Sequence, residues 1–214
     1  IVDAWKNGLL PEFEFCGCIN RSPEAAAALA AKASCQDFSS IDELLAQKPD
    51  YVIEAAAPAV IAEIAEKVLL HGSNLIVLSI GAFADANLLE RVKSTARTSG
   101  TRVHLASGAI GGFDVLRTAA LMSAVKSGIR TEKGPNSLKG TPAFKDSLLT
   151  DREPSHVFSG SAKDAIAQFP TKVNVAVATA LATAGPEQTT VNIHSVPGFQ
   201  GDDHRIEVVG EDVH

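Results

Sequence analysis

Methionine is almost missing from this 214-residue chain: Met122 is the only one, and residue 1 is Ile1. Aromatic residues are 5% of the total, with one Trp and one Tyr, and cysteine is limited to Cys16, Cys18 and Cys35. An odd, small set of thiols, two of them expected on opposite faces of one strand, excludes a disulfide framework and fits a reducing, cytoplasmic setting. A lone C-x-C without a matching His or Cys cluster also provides no metal site. Long apolar runs are absent. The stretch Tyr51–Ala62 is interrupted by Glu54 and Pro58 and falls short of the roughly 20 residues that cross a bilayer. Basic excess is lacking too: 25 Asp+Glu against 19 Lys+Arg leave a net charge of −6, which argues against nucleic acid and anionic membrane as partners. There is no repeat and no low-complexity segment. What is present is 45% hydrophobic residues, enough for the core of an ordinary globular protein.

From Phe13 to Ala106 short apolar runs alternate with helical patterns, as in βαβ units. Strands are expected at Phe13–Ile19, Tyr51–Ala55, Leu75–Ser79 and Arg102–Ala106, and their continuous apolar character suits a parallel sheet covered on both faces. Helices are expected from Ser22-Pro23-Glu24 to Lys32, at Ser40–Gln47, at Ala59–Leu70 and between Asp85 and Gly100, each with a recognisable cap or stop. Ile1–Gly8 reads as the tail of a helix. After the small-residue loop Ser107–Gly112 a helix is expected from Phe113 to about Lys126, then a Gly-, Pro- and charge-rich excursion outside the core at Gly134–Ser155. Strands at His156–Ser159, Thr190–Val196 and His204–Val209 follow, with a helix at Ala162–Phe169 and another begun by Pro170 and ended by Gly185. The fold class is thus α/β, a Rossmann-type doubly wound parallel sheet followed by a smaller α+β domain. The domain boundaries are expected at 1–110 and 111–214.

One motif is conspicuously missing. A dinucleotide-binding sheet normally opens with a strand and a G-x-G-x-x-G turn that brings a helix N-terminus to the pyrophosphate, and no such turn occurs here. We expect that first strand and its glycine loop, about 20 to 25 residues, to precede Ile1. At the end of the next strand an acid would take the ribose hydroxyls of NAD, but Asn20, Arg21 and Ser22 stand there. A guanidinium suits a ribose 2′-phosphate, so NADP as well as NAD is the expected cofactor, with Asn20 and Arg21 as contacts.

Several segments together resemble the L-aspartate dehydrogenase family: Ser107-Gly108-Ala109-Ile110-Gly111-Gly112 with Asp114, Leu138–Pro142, Phe158–Ala165, Phe169-Pro170, Asn174-Val175-Ala176 and His204-Arg205-Ile206. Tyr51–Ala56 and Ser79–Ala82 add to the likeness in the first half. The resemblance implies NAD(P)-linked oxidation of L-aspartate to oxaloacetate and ammonia through iminoaspartate, and a homodimer. It makes Ala109 and Asn174 cofactor contacts and His204 the active-site histidine. The chain departs from the family pattern at Thr171, where a lysine is usual and Lys172 follows one place later, at the short Gly201-Asp202-Asp203 segment, and at His214, where the family continues.

The residues support this chemistry directly. Amino-acid oxidation needs a hydride acceptor, groups that hold two carboxylates, and an acid/base for water addition to an imine. Gly108, Gly111 and Gly112 let backbone lie against a flat ring or an anion. His204 opens a strand after two acids and titrates in the useful range. Ser161, Lys163 and Lys172 sit near helix starts, where they could take the dicarboxylate. His71, His104, His156, His194 and His214 lack such a setting and are expected at the core edge or surface. Two other readings stay open at this level: a catalytically inactive NAD(P)-binding regulator, and an imine reductase of the dihydrodipicolinate reductase type.

Overall fold

Short parallel strands and capped helices alternate through the first half of the chain, and a larger mixed sheet dominates the second. The structure, a computed structural model, describes residues 1–211. After α1 (Val2–Lys6), strand β1 (Gly17–Cys18) leads to α2 (Pro23–Ala33). The Ser22 hydroxyl accepts from the Ala25 N–H at 3.3 Å, Pro23 occupies the first turn, and Ala26, Ala30 and Ala33 form the buried stripe. Then come β2 (Gln36–Asp37), α3 (Ile41–Leu45), β3 (Tyr51–Glu54), α4 (Pro58–Leu70), β4 (Asn74–Val77), α5 (Ala86–Ser99) and β5 (Val103–Leu105). In α4, Ile61, Ala65, Val68 and Leu69 recur at helical spacing and are buried. In α5 the Asp85 carboxylate accepts from the Asn87 and Leu88 N–H groups, and Gly100, at φ +66°, ends the helix in the left-handed region.

The parallel strands form two groups, β1-β2 and β3-β4-β5. Among the described residues β1 and β3 each keep one edge without a strand partner.

The second half contains α6 (Phe113–Met122), β6 (Val125–Lys133), β7 (Ser155–Ser161), α7 (Ala162–Gln168), α8 (Asn174–Ala182), β8 (Thr190–Ser195) and β9 (Asp202–Gly210). Its four strands run in the order β7-β8-β6-β9, with β6 and β8 parallel and the outer pairs antiparallel. One apolar core gathers Val52, Ile61, Leu75, Val77 and Phe83 of the first half. The other gathers Ile129, Phe158, Phe169, Val191 and Ile193 of the second. Helix α8 serves both: Val177 and Ala178 pack into the first, Ala176 and Ala180 into the second. A helix apolar on all sides is what such a position between two cores requires.

Several boundaries differ from expectation. The strand expected at Phe13–Ile19 shrinks to Gly17–Cys18, because its ladder partner supplies only Gln36 and Asp37. The helix expected to reach Lys126 stops at Met122, where Ser123 turns extended and β6 begins. The helix expected from Pro170 begins at Asn174, since the Lys172 N–H closes a turn on the Phe169 carbonyl instead. The excursion 134–155 is not wholly outside the core: two short 3-10 helices, Pro135–Leu138 and Asp146–Leu149, insert Leu138 and Leu148 into the second one. His214 lies outside the described residues.

Candidate active site

Parallel strands deliver all their C-terminal ends to one edge, and ligands of open α/β sheets bind there. Here that edge carries Asn20 and Arg21 after β1, Glu54 at the end of β3, Leu78–Gly81 after β4 and Ala106–Ile110 after β5. Glu54 is 3% exposed, and its carboxylate accepts from the Ala56 N–H (2.7 Å), the Ser79 N–H (3.0 Å) and the Ser79 hydroxyl (2.7 Å). It thereby fixes the loops that leave β3 and β4. Two residues on, the Gly81 N–H donates to Asn174 Oδ1 at 2.9 Å, which ties the edge to the first turn of α8. A Cβ on Gly81 would meet Ile166 Cδ1 at 2.5 Å and Asn174 Oδ1 at 2.8 Å, so only glycine allows this approach. Asn174 keeps its side-chain NH2 as a donor.

Beyond the end of β5 the chain crosses to the second sheet through Ser107–Gly112, and there a cleft of about 430 Å³ opens between Ala109, Ile110 and Gly111 on one side and Asp202, Asp203, His204 and Ile206 on the other. Gly108 (φ +62°) and Gly112 (φ +76°) shape the first wall, which presents no side chain larger than that of Ile110. On the second wall His204 lies opposite Thr131 in the β6-β9 ladder, and its Nδ1 is 3.0 Å from Thr131 Oγ1. Nε2 is then the nitrogen left for the cleft. Burial pushes the His204 imidazole below its ordinary 6.5, and nearby Lys133 adds to that, while Asp202 and Asp203 pull the other way.

The cleft unites two of the expected residues, Ala109 and His204. Asn174 stands at the same edge, beside Gly81. Asn20 and Arg21 are exposed at the end of β1, where Asn20 Oδ1 accepts from the Ser22 N–H at 3.0 Å. Ser22 itself is engaged as a helix cap and donates to Glu24. Ser161 and Lys163 are held in other ways. Ser161 forms a capping box with Asp164 at the start of α7, and Lys163 Nζ pairs with Glu187 at 2.8 Å. Lys172 lies half-buried in the turn before α8 and makes no ion pair among the described residues.

Three site features went unread in the sequence: Glu54, Thr131 and Lys133. The signal for the latter two was period-2 alternation, since Ser127, Ile129, Thr131 and Lys133 are the buried positions of β6. Three of those four are polar, and a search for apolar alternation passes over them. No group of three or more His, Cys, Asp or Glu side chains suited to a metal ion occurs among the described residues, and none of their helices is long and apolar enough to cross a membrane.

Residues 114–214 match the profile described as "Aspartate dehydrogenase, C-terminal", and residues 3–106 match "Homoserine dehydrogenase, NAD binding domain". The chain is similar to the L-aspartate dehydrogenase of Methanocaldococcus jannaschii, at 30% identity over 86% of this chain and 70% of that protein. It is 35% identical to that of Methanocella arvoryzae over 79% of this chain and 64% of the relative. With that of Acinetobacter baumannii the identity is 36% over 76% and 62%. The chain thus spans under two thirds of the length of these last two relatives. Among solved structures, the aspartate dehydrogenase of Thermotoga maritima superposes with a TM-score of 0.75 at 28% identity, covering 97% of this chain and 80% of that one. GenD2 from gentamicin A biosynthesis, solved in complex with NAD, shares the fold at a TM-score of 0.58 and 15% identity, over 99% of this chain and 66% of its own.

Proposed function

Since this chain belongs to the L-aspartate dehydrogenase family, we propose that it serves the NAD(P)-dependent oxidative deamination of L-aspartate to oxaloacetate and ammonia, or the reverse reductive amination. The observation that carries the reading is the cleft in which Ala109, at the end of the nucleotide-binding sheet, faces His204 of the second sheet. In this reading residues 1–110 form the nucleotide-binding domain and 111–214 the substrate domain, the chain works as a homodimer, and the setting is cytoplasmic.

The edge suits a nicotinamide dinucleotide: the Ala109–Gly111 wall is nearly free of side chains, and the Asn174 amide, beside Gly81 after β4, has an unused donor. Arg21 and Asn20 would hold the adenosine end, with Arg21 suited to a 2′-phosphate. When bound, the cofactor supplies the hydride acceptor for the substrate Cα–H bond. His204 supplies the rest. Its neutral Nε2 takes a proton from water as the oxygen attacks the carbon of the protonated imine, the imidazolium returns that proton to the nitrogen, and Nε2 then takes the remaining O–H proton as the C–N bond breaks to leave the oxaloacetate carbonyl and ammonia. Thr131 fixes the ring by its bond to Nδ1. For the dicarboxylate, Lys172 is the candidate cation with freedom to reach a ligand; Ser161 and Lys163 would first have to leave the partners they hold.

The test is direct. Protein mixed with NADPH or NADH, oxaloacetate and ammonium should oxidise the cofactor at a rate that depends on all three. Absence of oxidation at high protein concentration, with cofactor binding intact, would overturn the reading.

A further inference from the structure

Only one lysine of the second sheet is buried. Lys133 has a side chain 4% exposed, and its Nζ lies 2.7 Å from Asp202 Oδ2, whose own side chain is 41% exposed and lines the cleft. The two residues face each other in the β6-β9 ladder, one same-face step from the Thr131–His204 pair. Lys133, Thr131, Asp202 and His204 therefore share one face of the sheet. On the neighbouring strand, opposite Lys133, stands Ser195, 2% exposed and with a hydroxyl that has no hydrogen-bond partner.

Stability gives no reason for a lysine there. Burying an ammonium is costly even when it is paired, and an apolar side chain of similar volume is often as good or better for the fold. The place of the charge matters instead, because it sits behind the wall that carries the histidine. We propose that Lys133 is a positioning residue of the deamination site: locked against Asp202, its ammonium fixes that wall and keeps the His204 imidazole in its proton-accepting form.

This rests on the reading of the cleft as a deamination site. It adds the group that keeps the base ready. An imidazole with Asp202 beside it on the same face and no ammonium nearby would be drawn towards the protonated state, in which it cannot take a proton from water. The ion pair neutralises Asp202, and the ammonium opposes protonation of the ring, adding to burial, which is the larger cause that lowers the His204 imidazole. Other charges around the ring are few. Asp203, on its own strand, faces the opposite side of the sheet with Glu132 and Arg130 of β6. Asp114 and Arg117 of α6, the helix packed on β9, are exposed. The Ala109–Gly111 wall has no ionisable side chain.

The experiment follows the His204 ring proton resonance through a pH titration of the full chain, assigned by its loss in His204→Gln, in wild type, Lys133→Met, Asp202→Asn and Lys133→Arg. Lys133→Met should raise the His204 midpoint by about 0.5 pH or more, and Asp202→Asn should lower it, because the uncompensated ammonium then acts alone. Lys133→Arg should restore a midpoint near that of wild type. The acid limb of kcat should move with the midpoint in each variant, while KM for the cofactor stays constant. A midpoint unchanged in both Lys133→Met and Asp202→Asn, with native circular dichroism, would overturn the proposal. If Lys133→Met does not fold, the exposed partner decides: a fall in Asp202→Asn supports the proposal and an unchanged midpoint overturns it. Failure of the functional reading looks different, since midpoints would move as described in a wild-type protein that does not oxidise NADPH with oxaloacetate and ammonium.

Discussion

A base that draws a proton from water near neutral pH works best when it is neutral there and held in one orientation. His204 meets both conditions through its surroundings: the Thr131 hydroxyl 3.0 Å from Nδ1, and burial with a nearby ammonium that disfavours the charged ring. His204→Ala should lower turnover by about 10²-fold or more with little change in cofactor affinity; steady-state kinetics and a cofactor titration check this, and an unaltered kcat would remove His204 from the mechanism. Thr131→Val should lower kcat less, and only while His204 is present, because its effect passes through the ring. At the other end of the edge, the proposed role of Arg21 is to discriminate between the two cofactors. Its guanidinium makes no ion pair among the described residues, so Arg21→Ala should raise KM for NADPH about tenfold while changing that for NADH little. Equal changes for the two would show that Arg21 does not read the 2′-phosphate.

Elements differ in how openly their sequence declares them. Helices α2, α3 and α5 carry side-chain caps, Ser22, Ser40 and Asp85, and their starts agree with expectation because the capping chemistry is local. Strand β6 does not declare itself, since its buried side chains include Ser127, Thr131 and Lys133, placed by partners on β9 and on the segment before β8. Helix α8 is apolar on every side, so periodicity cannot set its start, and the Pro170–Lys172 turn is mistaken for its first turn. Of the site, His204 and Ala109 were legible through the family likeness of their segments. Glu54 stands in a family-like segment and interrupts an apolar run, but the sequence assigns it no role, because its donors belong to residues 56 and 79 and meet only in the folded sheet edge. Glu54→Gln tests that element junction. Two of its three donors are backbone N–H groups, and an amide NH2 set against one of them loses a bond and adds a repulsion. A loss of about 1–3 kcal/mol in urea unfolding, with weaker cofactor binding as the loops after β3 and β4 loosen, is expected. Unchanged stability would mean that the loops hold without the carboxylate.

At the scale of the whole molecule, two cores joined by α8 should respond to acid before any carboxylate titrates. His204 and His194 both ionise below their ordinary 6.5 in the folded chain, in each case mainly because burial disfavours the imidazolium, with Lys133 adding for His204 and Arg130, then His156, for His194. The unfolded chain therefore binds more protons than the folded one between the folded midpoints and 6.5. Stability is fully present above that value and is lost as pH falls through the window. A second decline begins lower, where Glu43, bonded by Ser39, Asp164, bonded by Ser161, and Asp3, paired with Lys32, have their carboxyls held below 4.5 or 3.8 in the native state. Their contribution is present above those values and disappears as pH falls through the folded ones. All three are at the surface, where salt weakens the Asp3–Lys32 pair most. Urea midpoints measured from pH 8 to 5 should hold steady down to about pH 7 and then fall. His194→Asn, which keeps a polar side chain without the titration, should flatten part of the decline without removing the His204 share. A midpoint constant from pH 8 to 5 in the wild type would show that neither imidazole is held neutral by the fold, and would remove the electrostatic basis for His204 as the base.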